Sequence, residues 1–225
     1  MKTKTYSNRF VRLGLRYRPG RSTRTVLGLL LTCAATVLFA LALGLPIARA
    51  QDQDQPSLRV TSTTFVNGGT LPLSMVYNQC PFYPGGGNQS PELSWRNAPD
   101  ETRSFVVIAY DVTASFTHCG MYNISSRSNG LPLNAGIPNS PDGTQVANDF
   151  GDLSYDGPCP PPQFPPASHT YVFTVYALDI VLPTLPTFGD FPPGSEALYH
   201  ALITAARGNH ILASASIVGD FPSPN

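Results

Sequence analysis

Residues 90–123, SPELSWRNAPDETRSFVVIAYDVTASFTHCGMYN, limit the fold more than any other part of this 225-residue chain. Two apolar runs start within it, residues 104–110 (SFVVIAY) and 119–124 (CGMYNI). Both are rich in β-branched and aromatic residues and too short for helices, so they read as buried strands. A polar loop bounded by Asp111 and His118 separates them. An acid ending one strand and a histidine opening the next can face each other across a pocket mouth, and loops on a rigid scaffold carry function.

The chain opens with a basic segment, residues 1–24, that contains no acid. An apolar run follows at 26–47, then Ala48-Arg49-Ala50, an A-x-A cleavage pattern. Residues 1–50 therefore read as a secretory signal peptide, with an uncleaved membrane anchor as the competing reading because the run is long enough to span a bilayer. Residues 51–57 read as a flexible polar linker and 58–222 as one domain. Cys33 sits in the middle of the apolar run, not where a lipid-attachment cysteine belongs.

This leader hides the charge of the rest. The formal net charge is zero, but nine of the 14 basic residues and none of the 14 acids lie in residues 1–50. Five arginines (Arg59, Arg96, Arg103, Arg127, Arg207) then face 14 acids, a formal charge of about −9, with no lysine. Such a balance argues against nucleic acid, whose phosphates need clustered cations, and against adsorption to anionic lipid. Membrane contact is expected only through an uncleaved leader. The expected location is secreted or periplasmic, or membrane-anchored facing outside. Cys80, Cys119 and Cys159 remain in the exported part, where two can pair. Their spacing fits no zinc pattern, and no cofactor or metal is expected.

Residues 58–66 alternate enough for a half-buried strand, and 71–78 suit a short one. Residues 80–88 (CPFYPGGGN) read as a loop, and 92–95 as a short strand. After residue 124 the chain is irregular. Residues 148–166 form a long proline-stiffened loop of the kind that lines sites. Residues 169–180 (HTYVFTVYALDI) are the best strand. Both of its alternating sets are largely apolar, so it should be central and covered on both faces. Residues 195–207 are the one convincing helix, with Ser195 as N-cap, Glu196 at the positive dipole end, Leu198, Leu202 and Ala205 on one face, and Gly208 as left-handed stop. Residues 211–218 close as a strand. The class is mostly β with few peripheral helices.

The order SPELSW, SFVVIAYD, H and YNI, GLPLNAG, NDFG-x3-YDGPCPPP, HTYVFTVYALD and GNHILASASIVG resembles the phosphatidylethanolamine-binding proteins. It looks closest to their bacterial branch, the YbhB/YbcL or Raf kinase inhibitor-like proteins. The resemblance runs from Leu58 to about Phe221. It implies a large central antiparallel sheet packed with a smaller sheet and a few helices. It also implies a small pocket for phosphate, acetate or a phospholipid head group, lined here by Asp111, His118, Gly157, Pro158, His169 and Tyr171. His169 and Tyr171, two apart on a strand, share a face, and imidazole, phenol and loop amides are good oxyanion donors. The chain departs from the family at DVTAS (residues 111–115) in place of DPDAP, and at Cys119 in place of a tryptophan. Relatives with cysteines at both loops imply a Cys80–Cys159 disulfide with Cys119 free; Cys119–Cys159 is the competing pair.

Bland readings stand beside these. Asp111 can simply cap a turn, His210 can be structural and bonded to backbone, and His200 can be a solvated helix residue. Cys119 beside His118 invites a thiol nucleophile, but strand neighbours point to opposite faces. No GxSxG, HExxH or phosphate-binding loop is present. The expected function is a non-enzymatic exported binding protein. The alternatives are a protease inhibitor acting through an exposed loop on a partner protease, and a hydrolase using His118 and Asp111.

Overall fold

The computed structural model describes residues 57–163, 167–187 and 194–224, all within the compact unit Asp54–Asn225. The leader and all but one residue of the linker lie outside the described residues. The strands are β1 (Arg59–Thr61), β2 (Gly69–Thr70), β3 (Leu93–Arg96), β4 (Ser104–Asp111), β5 (Phe116–Ser125), β6 (Gly130–Leu131), β7 (Thr144–Val146), β8 (Ser168–Leu178) and β9 (Ile211–Pro222). Among the described residues one α-helix, α1 (Gly194–Arg207), precedes β9. β1, β3 and β6 make a small antiparallel sheet. The large sheet runs β2-β9-β8-β4-β5-β7. It is mixed rather than wholly antiparallel, because β2 lies parallel to β9.

β4 explains its own sequence. Phe105, Val107 and Ala109 join the core between the two sheets, with Tyr171, Phe173, Val175 and Ala177 of β8. Val106 and Ile108 point the other way, into a second cluster with Leu198 and Leu202 of α1. Covered on both faces, the strand is apolar without alternation. α1 packs close because β5 has Gly120 beneath it: a Cβ there would lie 2.6 Å from Val146 Cγ2 and 2.8 Å from Leu198 Cδ2. β8 is central, between β9 and β4. Its second face is only half-buried: Thr170, Val172, Thr174 and Tyr176 are intermediate in exposure, and of these Tyr176 packs against the cluster that includes α1.

Several local expectations are corrected. Residues 71–78 contain a 3₁₀ turn at Leu73–Met75, not a strand. The strand expected over 58–66 is three residues long. β5 begins at Phe116, two residues before His118, so the polar loop is short. Ser195 lies inside α1, and its hydroxyl donates to Asp149 Oδ1 at 2.6 Å instead of capping the helix. The left-handed stop is Asn209, φ 57°, not Gly208. His210 N bonds Ala205 O at 2.8 Å and Asn209 N bonds Ala206 O at 3.1 Å, a Schellman ending in which asparagine tolerates the left-handed state. His210 bonds the Asp179 carboxylate at 2.9 Å rather than backbone, while His200 is exposed.

Candidate functional site

β4 ends at Asp111, which pairs with Tyr171 of β8 and Phe116 of β5. Its carboxylate does two jobs. Oδ1 accepts the amides of Thr113 (2.8 Å) and Ala114 (3.0 Å), which fixes the DVTAS turn. Oδ2 lies 2.7 Å from His169 Nδ1. A carboxylate only accepts, so His169 carries its proton on Nδ1 and leaves Nε2 as the free nitrogen. Gln163 Nε2 stands 3.3 Å from that nitrogen, where the amide can donate into its lone pair. Both members of the Asp111–His169 pair are buried.

His118 reaches the same place through a register shift. Ala109 pairs with Cys119 and Tyr110 with Thr117, so His118 is an extra, unopposed residue in β5. A bulge of this kind re-aims side chains. Cys119 belongs to the inter-sheet core that includes Tyr171, and His118 lies 5.2 Å from Tyr171, ring to ring. The two neighbours therefore share a side of the sheet, against the strict alternation expected. Position alone does not exclude Cys119 as a nucleophile; burial does, pushing its thiol up to about 12, with the Asp156 charge adding. His118 Nδ1 lies 2.6 Å from the Asp156 carbonyl, so it too carries its proton on Nδ1. Burial lowers the His118 pKa, against the pull of the Asp156 carbonyl and the charges of Asp111, Asp149 and Asp156.

Asp111, His118, His169 and Tyr171 line one cavity of about 180 Å³ with Ala114, Phe116, Phe150, Cys159 and Pro160. Among the described residues no arginine lines it. Tyr171 stays protonated, its pKa raised by burial first and then by the charge and hydrogen bond of Asp111. Gly157 and Pro158 are not among the lining residues. Gly157 packs behind the wall, where a Cβ would lie 1.7 Å from Met75 O, and its amide donates to Asn88 Oδ1 at 2.8 Å. Pro158 O accepts the Tyr77 amide at 3.1 Å. Cys80 and Cys159 form a disulfide, and Cys119 is free and buried.

Sequence reasoning missed four contributors. Phe116 and Phe150 make an aromatic rim, 4.7 Å between ring centroids, with Tyr77 stacked on Phe150 at 5.1 Å. Asn148 holds the long loop: its Oδ1 accepts the amides of Phe150 and Asp152, and its Nδ2 donates to Ser154 O and Asp156 Oδ2. Gln163 is the fourth, beside His169. The NDFG run was the available signal for two of them, since an asparagine side chain commonly organises the turn that follows it. A larger cavity of about 530 Å³ opens beside α1, but apart from His200, His210 and Thr204 its lining is apolar.

The model of the phosphatidylethanolamine-binding protein family matches residues 61–222. The UPF0098 protein YbhB of Escherichia coli is 33% identical over 171 residues, covering 73% of this chain and 99% of YbhB. The UPF0098 protein of Methanothermobacter thermautotrophicus is 38% identical over 141 residues, covering 60% of this chain and 83% of its own. Among solved structures, E. coli YbcL, described as a member of the mammalian PEBP family, aligns with a TM-score of 0.59 at 29% identity, covering 75% of this chain and 99% of YbcL.

Proposed function

The chain belongs to the phosphatidylethanolamine-binding protein family, and we propose that it is an exported, non-enzymatic member whose cavity takes a small oxyanion, free phosphate or the phosphate of a phospholipid head group. One observation carries this reading: two buried imidazoles, each with Nδ1 committed to a protein acceptor, line one cavity with a phenol. With Nδ1 protonated, each ring's Nε2 is an acceptor, that of His169 facing the Gln163 amide. An anion is held when they gain protons and become donors, so binding and proton uptake go together. The aromatic rim of Phe116 and Phe150 suits the organic part of a phosphoester. With no arginine in the lining and a formal charge of about −9 on the exported part, affinity for inorganic phosphate is weak.

Export is supported by the leader pattern and by the Cys80–Cys159 disulfide, a bond that persists in oxidising compartments. Asp111–His169 has the form of a general-base pair, yet among the described residues the lining offers no serine, threonine or reactive thiol as nucleophile. Isothermal titration with phosphate and with phosphoethanolamine tests the proposal. Heat that titrates in the wild type and is lost in His169→Ala supports it; equal heats in both proteins overturn it.

A further inference from the structure

The cavity beside α1 shares no lining residue, among the described residues, with the one that holds Asp111 and His169. Its volume of about 530 Å³ falls in the range of small-molecule pockets, roughly 300–1,000 Å³. One wall is α1, whose Ala197, Ala201 and Ala205 leave the space open by being small. The facing wall is residues 180–186, and the protein's own hydrogen bonds set its position. Asn123 Oδ1 accepts the Leu182 amide at 2.8 Å, and Asn123 Nδ2 donates to Leu182 O at 2.9 Å. The Tyr122 hydroxyl oxygen accepts the Leu185 amide at 3.1 Å. Pro183 and Pro186 stiffen the same wall.

The polar side chains of the lining are His200, Thr204 and His210, and the last two present acceptors. Thr204 Oγ1 donates to His200 O at 2.9 Å, which leaves its lone pairs. Asp179 Oδ1 lies 2.9 Å from His210 Nδ1, so His210 carries its proton there and keeps Nε2 as an acceptor. Asp179, beside His210, and Glu196, 3.7 Å from His200, bring two negative charges to the rim. Thr204 and His210 also sit near the C-terminal end of α1, the negative pole of its dipole. Arg207, the cation of the last turn, is not among the lining residues. On a domain with about nine excess negative charges the long-range field favours a cation as well. An apolar space with acceptors and negative charge at one end fits an ammonium on a hydrocarbon body. We propose that this cavity binds a small cationic amphiphile, a primary alkylamine, with its ammonium at Asp179 and His210 and its chain between α1 and residues 180–186.

Isothermal titration of the full-length chain at pH 8 with octylamine, octanoate and ethylamine tests this, with far-ultraviolet circular dichroism to confirm that variants fold. Octylamine should bind. Octanoate, a chain of the same length with the opposite charge, should bind about tenfold more weakly or worse. Ethylamine, which has the head without the chain, should give no measurable heat. Ala201→Phe fills the space and should abolish octylamine binding while leaving the phosphate titration unchanged. Asp179→Asn should weaken octylamine binding about tenfold, and it decides the matter if the phenylalanine variant does not fold. Absence of octylamine binding, as when another segment or molecule fills the cavity, would overturn the proposal. So would octanoate binding as tightly as octylamine, ethylamine matching it, or octylamine binding that survives in both variants.

Discussion

His169 Nδ1–H donates a hydrogen bond to Asp111 Oδ2 across 2.7 Å, although the two residues lie 58 positions apart. β4 and β8 create the pair by register, since Asp111 sits opposite Tyr171 and His169 lies two residues before Tyr171 on β8, on the same face. The same carboxylate closes the DVTAS turn through its other oxygen. Turn-capping and pocket duty are therefore two halves of one side chain.

Asp111→Asn keeps the shape but puts an amide where His169 needs an acceptor. Losing a charged hydrogen bond in a buried site costs about 2 kcal/mol. Urea unfolding should show that loss, and imidazole nitrogen NMR should show His169 no longer fixed as the Nδ1–H tautomer. An unchanged tautomer would mean that Asp111 does not orient the ring.

His118 sets a pH dependence with a definite sign. Burial holds its pKa below the ordinary histidine value of about 6.5. Its contribution to stability is fully present above that value and is lost as pH falls through the lowered folded pKa. The difference in unfolding free energy between wild type and His118→Gln should therefore shrink on acidification in the absence of ligand. A difference that grows as pH falls would reverse the assignment.

The short strands explain why the sequence was legible in some places and not in others. β4 and β8 announce themselves because burial on one or both faces demands continuous or alternating apolar residues. β2 and β6 are two residues each and exist only through their partners, which no local pattern reveals. The same-face geometry of His169 and Tyr171 follows from strand period. The position of His118 does not, because the bulge arises from the register of β4 against β5. The loop-to-strand boundary was set two residues late, which hid Phe116 from the cavity. Gly157 was expected in the pocket, yet its lack of a side chain serves the contact with Met75 O behind the wall.

Cys159 lines the cavity and is tied to Cys80 across a sequence separation of 79 residues. Replacing both cysteines by serine should cost about 2–4 kcal/mol in unfolding free energy, most of it from the freer unfolded chain. It should also weaken phosphate binding, since one wall loses its anchor. Unchanged stability would show that the crosslink contributes nothing.

Cys119 should be inert. Its thiol is pushed up to about 12 by burial and the Asp156 charge, and Sγ donates to Gln145 Oε1 at 3.7 Å. In the chain from residue 51 onward, a thiol reagent should fail to label the native protein at neutral pH and should label one site, Cys119, once the chain is unfolded without reductant. Fast native labelling at Cys119 would reopen a nucleophilic role for it.

Proton uptake on ligand binding tests the central claim most directly. Calorimetric titration of phosphate into the protein near neutral pH, in buffers of different ionisation enthalpy, gives the number of protons taken up per anion bound. The account predicts net uptake, affinity that rises as pH is lowered through the histidine range, and loss of the uptake in the His118→Gln, His169→Gln double variant. Binding with no proton uptake and no pH dependence, or binding that survives in the double variant, would contradict it.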